Sequence, residues 1–320
     1  MHVLRPLAVL LPLVLLPAVA AQSAPAKPPT PPPAQGGKDT PPPDTGKGAP
    51  KKATADEPDE KTLIHEFDKD FVNKDATVRV AVLMKLGDAS RKLPDLGHSR
   101  YVAKTLIKGL DDDDLEVQSA AVGQLAWGRD VDSAIEALGK HVENVRKEID
   151  KRITRPDQDS KNYVNRATRL FGDTCLAQAN YRDDRSVDVL ASIIGRLRPN
   201  TDGNDGSTRL VGRIAEALTA LGTQDAIDAC IKQTGVYGEN DSFNEPAAKE
   251  LHRVLSLFAS KVGKAPPDYT PTYYVEWGKW FEKNKEGFPK KLGKLKEPPN
   301  APPADMMSQG GKDEGKPPPR

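Results

Sequence analysis

Between Asp59 and Phe288 the apolar side chains recur at helical spacing. In "STRLVGRIAEALTALG", Leu210, Ile214, Ala217, Leu218 and Leu221 fall at i, i+4, i+7, i+8 and i+11, one stripe along a helix. Leu251, Val254, Leu255 and Phe258 fall at i, i+3, i+4 and i+7. Alternation of period two between Gly/Pro turns, the mark of strands, is not found in this stretch. The pattern predicts helices near 62–73, 75–89, 95–110, 113–127, 130–150, 158–180, 184–197, 206–222, 223–235, 244–262 and 271–285. The expected fold class is all-α.

Alternate helices resemble one another. "VRVAVLMKLG" (78–87), "VQSAAVGQLAWG" (117–128) and "LVGRIAEALTALG" (210–222) each open on an apolar residue, enclose small residues, and carry Leu86, Leu125 or Leu218 eight positions on. Val78 and Val117 stand 39 positions apart, Val117 and Leu210 93, with a degenerate copy, "VNRATRLFG", beginning at Val164 between them. A two-helix unit recurring at about 40–47 residues is the signature of HEAT and armadillo arrays. The chain therefore resembles HEAT-repeat proteins, most clearly at Val78-Arg79 and at Ala217–Gly222. The resemblance implies an α-solenoid of about five helix pairs over 61–288. Each unit in such an array is satisfied only by stacking on its neighbours.

The two ends have a different character. Residues 1–21 place Arg5 before the short apolar run "LAVLLPLVLLPAVA" and end on Ala18-Val19-Ala20, which predicts a cleaved export signal. The run is broken by Pro12 and Pro17 and is shorter than the roughly 20 apolar residues of a spanning helix. No stable membrane span is expected after cleavage, and the protein is expected to be exported, to a periplasm, a cell surface or the medium. Residues 22–60 are rich in proline and lysine with no large aliphatic or aromatic side chain, a composition that predicts a disordered linker. Residues 289–320 predict a second disordered, Lys/Pro-rich tail.

Charge and composition exclude several functions. The formal net charge of the 320 residues is +1, which gives no global reason to expect nucleic acid as a partner. Neither HExxH, CxxC, GxSxG nor a phosphate-cradling glycine loop occurs. No catalytic residue, metal or cofactor is therefore expected. Cys175 and Cys230 sit in apolar stripes of helices a whole repeat apart, which predicts free, buried thiols. In "PNTDGNDGS" (199–207), Asp202, Asn204 and Asp205 evoke a calcium loop. Neither register puts Gly and Glu where such a loop needs them, so an inter-helix corner is expected. "LDDDDLEV" (110–117) is expected to cap a helix through Asp113 or Asp114.

The remaining candidates point to binding. A solenoid presents a long face lined by the second helix of each pair, where Arg79, Gln118, Arg166 and Arg213 would fall. In the last helix Tyr273, Trp277, Trp280 and Phe281 fall at i, i+4, i+7 and i+8. They predict an aromatic cap over the end of the stack, with Trp277 and Trp280 as an alternative platform for a partner. "EKNKEGFPKKLGKLKE" (282–297) holds six lysines against three glutamates and could weakly attract an anionic envelope surface. The expected function is an exported, monomeric scaffold for an unknown protein partner. The alternatives are a HEAT-like enzyme or a passive envelope spacer. The HEAT-like bilin lyases and alkyl-base DNA glycosylases act on intracellular substrates, which an export signal disfavours.

Overall fold

Nearly every helix begins on a short polar side chain that accepts a backbone N–H of its first turn, and this sets the element boundaries. Asp59 takes Thr62 N at 2.7 Å, Asp114 takes Glu116 N at 2.7 Å, Asp157 takes Ser160 N at 2.7 Å, and Asn244 takes Ala247 N at 3.1 Å. The computed structural model describes residues 59–92, 100–128, 130–155, 157–198, 206–238 and 244–295. All of them belong to one structural unit, residues 55–320. The expected export signal (1–21), the expected linker to residue 58, the expected corner at 199–205 and residues 296–320 lie outside the described residues.

Eleven α-helices are formed among the described residues, and no strand. They are α1 (Glu60–Phe71), α2 (Ala76–Lys92), α3 (Arg100–Lys108), α4 (Leu115–Leu125), α5 (Val131–Ile153), α6 (Gln158–Asn180), α7 (Asp184–Arg196), α8 (Gly206–Leu221), α9 (Gln224–Gly238), α10 (Glu245–Lys261) and α11 (Tyr273–Asn284). The helices pack in two rows. One row runs α1, α3, α5, α7, α9, α11 and the other α2, α4, α6, α8, α10, each helix touching its predecessor and successor in its own row. Each also packs against its chain neighbour in the opposite row. This arrangement is compatible with a helical repeat solenoid.

The stripes predict the core well, and incompletely. Leu210, Ile214, Ala217, Leu218 and Leu221 are fully buried, and so are Val211 and Ala215 on their flank. The wider burial follows from position: α8 is enclosed by α6, α7, α9 and α10, so more than one of its faces is covered. Gly222, at φ +67°, makes the tight corner into α9, a conformation that glycine adopts without strain. Both cysteines are free and buried, Cys175 in α6 and Cys230 in α9, and burial pushes both thiols well above their ordinary range.

The expected tail from residue 289 is corrected in its first part. Residues 289–295 form a strap across the N-terminal ends of α5, α7 and α9. Gln224 N donates to Pro289 O at 3.0 Å, and Asp184 N to Gly293 O at 3.2 Å. Leu292 N and Gly293 N donate to the Asp184 carboxylate at 2.9 and 3.3 Å, and Leu295 N to Asp183 at 2.9 Å. Phe288, Leu292 and Leu295 pack on the core. The lysines of this stretch obscure three apolar side chains spaced four and three apart. Helix N-termini with spare carboxylate acceptors supply the docking site.

Candidate functional site

The predicted row falls on α2, α4, α6 and α8, and the structure divides it in two. Arg79 and Gln118 are fasteners. Arg79 forks onto Asp112, with Nε to Oδ2 and Nη2 to Oδ1 both at 2.8 Å, and its Nη1 donates to the carbonyls of Asn73 and Lys74 at 2.8 and 3.0 Å. Gln118 Nε2 donates to the Asp112 carbonyl at 2.5 Å. Burial would raise the Asp112 carboxyl, but the Arg79 fork and the Asp114 N–H outweigh it and hold the group below its ordinary range. With only 11% of the Arg79 side chain exposed, this pair joins α2 to the turn before α4 and is not available to a partner.

Arg166 and Arg213 stay accessible. Arg166 reaches back to Glu116 of α4 at 3.1 Å, and Arg213 pairs with Glu216 on its own helix at 3.1 Å. Two residues absent from the predicted set continue the series: Arg209 donates to Asn165 of α6 at 3.2 Å, and Arg253 of α10 to Glu216 of α8 at 3.0 Å. Exposed polar bonds thus run between successive helices of the second row.

These side chains border a cleft of about 550 Å³ between α6, α8 and α10, lined by Asn165, Thr168, Arg169, Arg209, Arg213, Glu216, Glu250 and Arg253. Two glycines let its walls close up. A Cβ on Gly172 would stand 2.8 Å from Arg213 Cδ, and one on Gly212 would stand 2.2 Å from Glu250 Oε1. The long polar chains of α8 and α10 therefore lie directly on the backbone of the preceding helix. Arg253 clamps Glu250 with Nε and Nη2 at 2.9 and 2.7 Å, which with Glu216 raises its pKa. The Thr168 hydroxyl, at the cleft floor, is buried and has no hydrogen-bond partner among the described residues.

The first row offers a different surface. An open groove of about 880 Å³ lies between α5 and α7, bordered by Asp132, Lys140, Arg185 and Arg196 among others. His141 lines two smaller clefts, one of about 380 Å³ between α3 and α5 and one of about 310 Å³ between the turn before α4, α5 and α6. Its Nε2 has no partner among the described residues, and burial lowers its pKa to about 4. At neutral pH the imidazole is uncharged. Among the described residues no three His, Cys, Asp or Glu side chains converge as a metal site. Asp114 caps α4, and Asp112 answers Arg79, so the acidic run works locally.

Trp277 and Trp280 are buried and line no part of the cleft. Trp277 is fully buried and its indole N–H donates to His252 Nδ1 at 3.0 Å; Trp280 donates to the Ala265 carbonyl at 2.9 Å. With both rings packed, neither forms an open platform. Arg169, Arg209 and Arg253 were missed by sequence reasoning, yet a signal for the first two exists. Arg169 follows Arg166 by three residues, and Arg209 precedes Arg213 by four, so each shares its neighbour's helix face.

No family model matches the chain. No curated protein matches it either. Two engineered proteins of known crystal structure from the Northeast Structural Genomics Consortium align with it. The first is 20% identical over 69% of this chain and 88% of its own, with a TM-score of 0.26. The second is 19% identical over 72% and 55%, with a TM-score of 0.25. Scores this low carry no inference about function.

Proposed function

We propose that the chain is an exported α-solenoid of five HEAT-like helix pairs, closed by α11, that acts as a protein-binding scaffold outside the cytoplasm and performs no chemistry of its own. The observation that carries this reading is the exposed polar series on the second row, where arginines of α6, α8 and α10 surround an open cleft. Stacked helix pairs give a continuous surface on which one partner can touch several units at once. The serial packing of both rows supports the solenoid, and the apolar run with a small-residue end at 18–20 supports export.

Affinity purification of the tagged full chain from the extracytoplasmic fraction, after mild crosslinking, tests the reading. One partner recovered in fixed stoichiometry, and lost when Arg209 and Arg253 are both changed to Glu, is the expected result. Retention of the chain in the cytoplasm, or a turnover abolished by a single carboxylate or histidine substitution, would overturn it.

A further inference from the structure

We propose that the α6–α8–α10 cleft receives an acidic segment of a partner protein, two carboxylates entering the cleft and an apolar side chain resting beside it. The proposal rests on the scaffold reading above and gives that scaffold its recognition chemistry.

Four guanidinium groups face two carboxylates in the cleft. The carboxylates are already engaged: Glu250 by Arg253, and Glu216 by Arg213 and Arg253. Arg169 and Arg209 have no carboxylate within ion-pair distance among the described residues, although Asp173 interacts through space with Arg213 and, more weakly, with Arg169. An arginine fork pairs a carboxylate through two parallel N–H bonds, so two forks without an ion-paired carboxylate match two carboxylates, Arg209 giving up its bond to Asn165. The Thr168 hydroxyl adds a donor. It is 4% exposed, has no partner among the described residues, and lines the same cleft. A buried hydroxyl with nothing to bond costs free energy that a bound anion oxygen would recover.

The apolar half of the proposal comes from a separate observation. Asn165 meets Arg209 and Gly172 meets Arg213, while Gly212 meets Glu250 and Glu216 meets Arg253. Residue numbers rise together in each pairing, so α6, α8 and α10 run parallel. Leu176, 38% exposed, lies seven residues beyond Arg169, and Leu257, 60% exposed, lies four beyond Arg253. Both leucines therefore stand on the cleft's helix faces, toward the same C-terminal side. A nucleic acid fits less well: no aromatic side chain lines the cleft to stack a base. A bilayer surface fits less well, because the arginines border a recess.

The test measures fluorescence anisotropy of the full chain with a labelled Glu-Glu-Glu-Glu-Leu-Leu peptide, its Gln-for-Glu counterpart, and inorganic sulfate as competitor. The acidic peptide binds on the order of tens of micromolar, and the Gln counterpart at least about tenfold more weakly. Arg169→Glu with Arg209→Glu weakens binding by about tenfold or more while circular dichroism still shows a cooperatively folded chain, since neither residue holds a carboxylate of the fold. Thr168→Val and Leu257→Ser each weaken it several-fold, and Lys151→Glu on α5, which does not line the cleft, leaves it unchanged.

No binding, or equal binding of the Gln peptide, overturns the proposal. So does an effect of Lys151→Glu equal to that of the arginine pair, or sulfate competing so well that the peptide adds no affinity over the small anion. A partner still recovered in full by the Arg169→Glu/Arg209→Glu variant sinks the acidic-segment proposal and leaves the scaffold standing. Peptide binding with no partner recovered from the extracytoplasmic fraction sinks the scaffold instead.

Discussion

The first and last helices both end a row, and they are held in very different ways. α1 fully buries only Leu63 and Phe67, with Phe67 stacked on the half-exposed Phe71 at 4.6 Å and Val72 left 80% exposed. α11 buries Tyr273, Trp277, Trp280 and Phe281. Its Tyr273 hydroxyl donates to the Thr234 carbonyl at 3.0 Å, and its indoles reach His252 and Ala265. Rings of Tyr269, Tyr273 and Trp277 meet His252, and Trp280, Phe258 and Phe288 extend the cluster through edge-on, tilted and stacked contacts. Two helices of 12 residues thus contribute unequally. A terminal helix stabilises a stack only as far as its buried groups exceed the entropy of ordering it.

The largest expected effect is at the aromatic end. Trp277→Ala removes a fully buried ring and leaves His252 Nδ1 without its donor; it should cost about 3–5 kcal/mol of global stability. Urea unfolding followed by circular dichroism reads this directly, and a loss under about 1 kcal/mol would remove the distinction between the ends.

Next in size is a pH effect from the middle of the stack. His141 has a folded pKa of about 4 against the ordinary 6.5, so the unfolded chain binds the proton more readily. Stability is complete above the unfolded value and declines as pH falls from about 6.5 toward 4, by about 3 kcal/mol if no other group intervenes. In His141→Leu that part of the slope disappears. His252 also has a lowered pKa, from burial, and shifts the same way as its imidazole must stay neutral at Nδ1 to accept from Trp277. Tryptophan fluorescence during acid titration of His141→Leu with Trp127→Phe, which leaves only Trp277 and Trp280, follows this second contribution at the aromatic end.

The strap should respond more modestly. Asp184→Ala removes the acceptor of two backbone N–H groups and should cost about 1–3 kcal/mol. Trypsin cleavage at Lys290, Lys291 and Lys294 should accelerate markedly, with unfolding still a single transition. Unchanged cleavage would mean that Phe288, Leu292 and Leu295 alone hold the segment.

Smallest of all is the matched substitution at α1. Phe67→Ala also empties a fully buried position, yet the global midpoint should move by less than about 1 kcal/mol, because α1 can release locally while the stack persists. Amide exchange confined to residues 60–71 checks this.

Much of the fold was legible because helical burial leaves a periodic trace. The stripes of α8 and α10 and the cap at Asp114 are local features, and each appears in the sequence at its own spacing. What could not be read depends on neighbours distant in the chain. Arg79 looks like any exposed helix arginine until Asp112, 33 residues on, closes over it. The strap was hidden for the same reason, since its acceptors on Asp183 and Asp184 lie more than a hundred residues away. The candidate cleft was half visible: Arg166 and Arg213 marked the face, but only parallel packing of α6, α8 and α10 brings Arg169, Arg209 and Thr168 to one recess.

The central claim is that each helix is held by the next one in its row, firmly at the aromatic end and loosely at α1. Native-state amide exchange of the full chain in increasing urea tests it most directly. Amides of α1 should open first and at the lowest free energy, those of α2 and α3 next, and those of α8, α9 and α11 only with global unfolding. Exchange in α11 that precedes α1, or every helix opening at one common free energy, would contradict it.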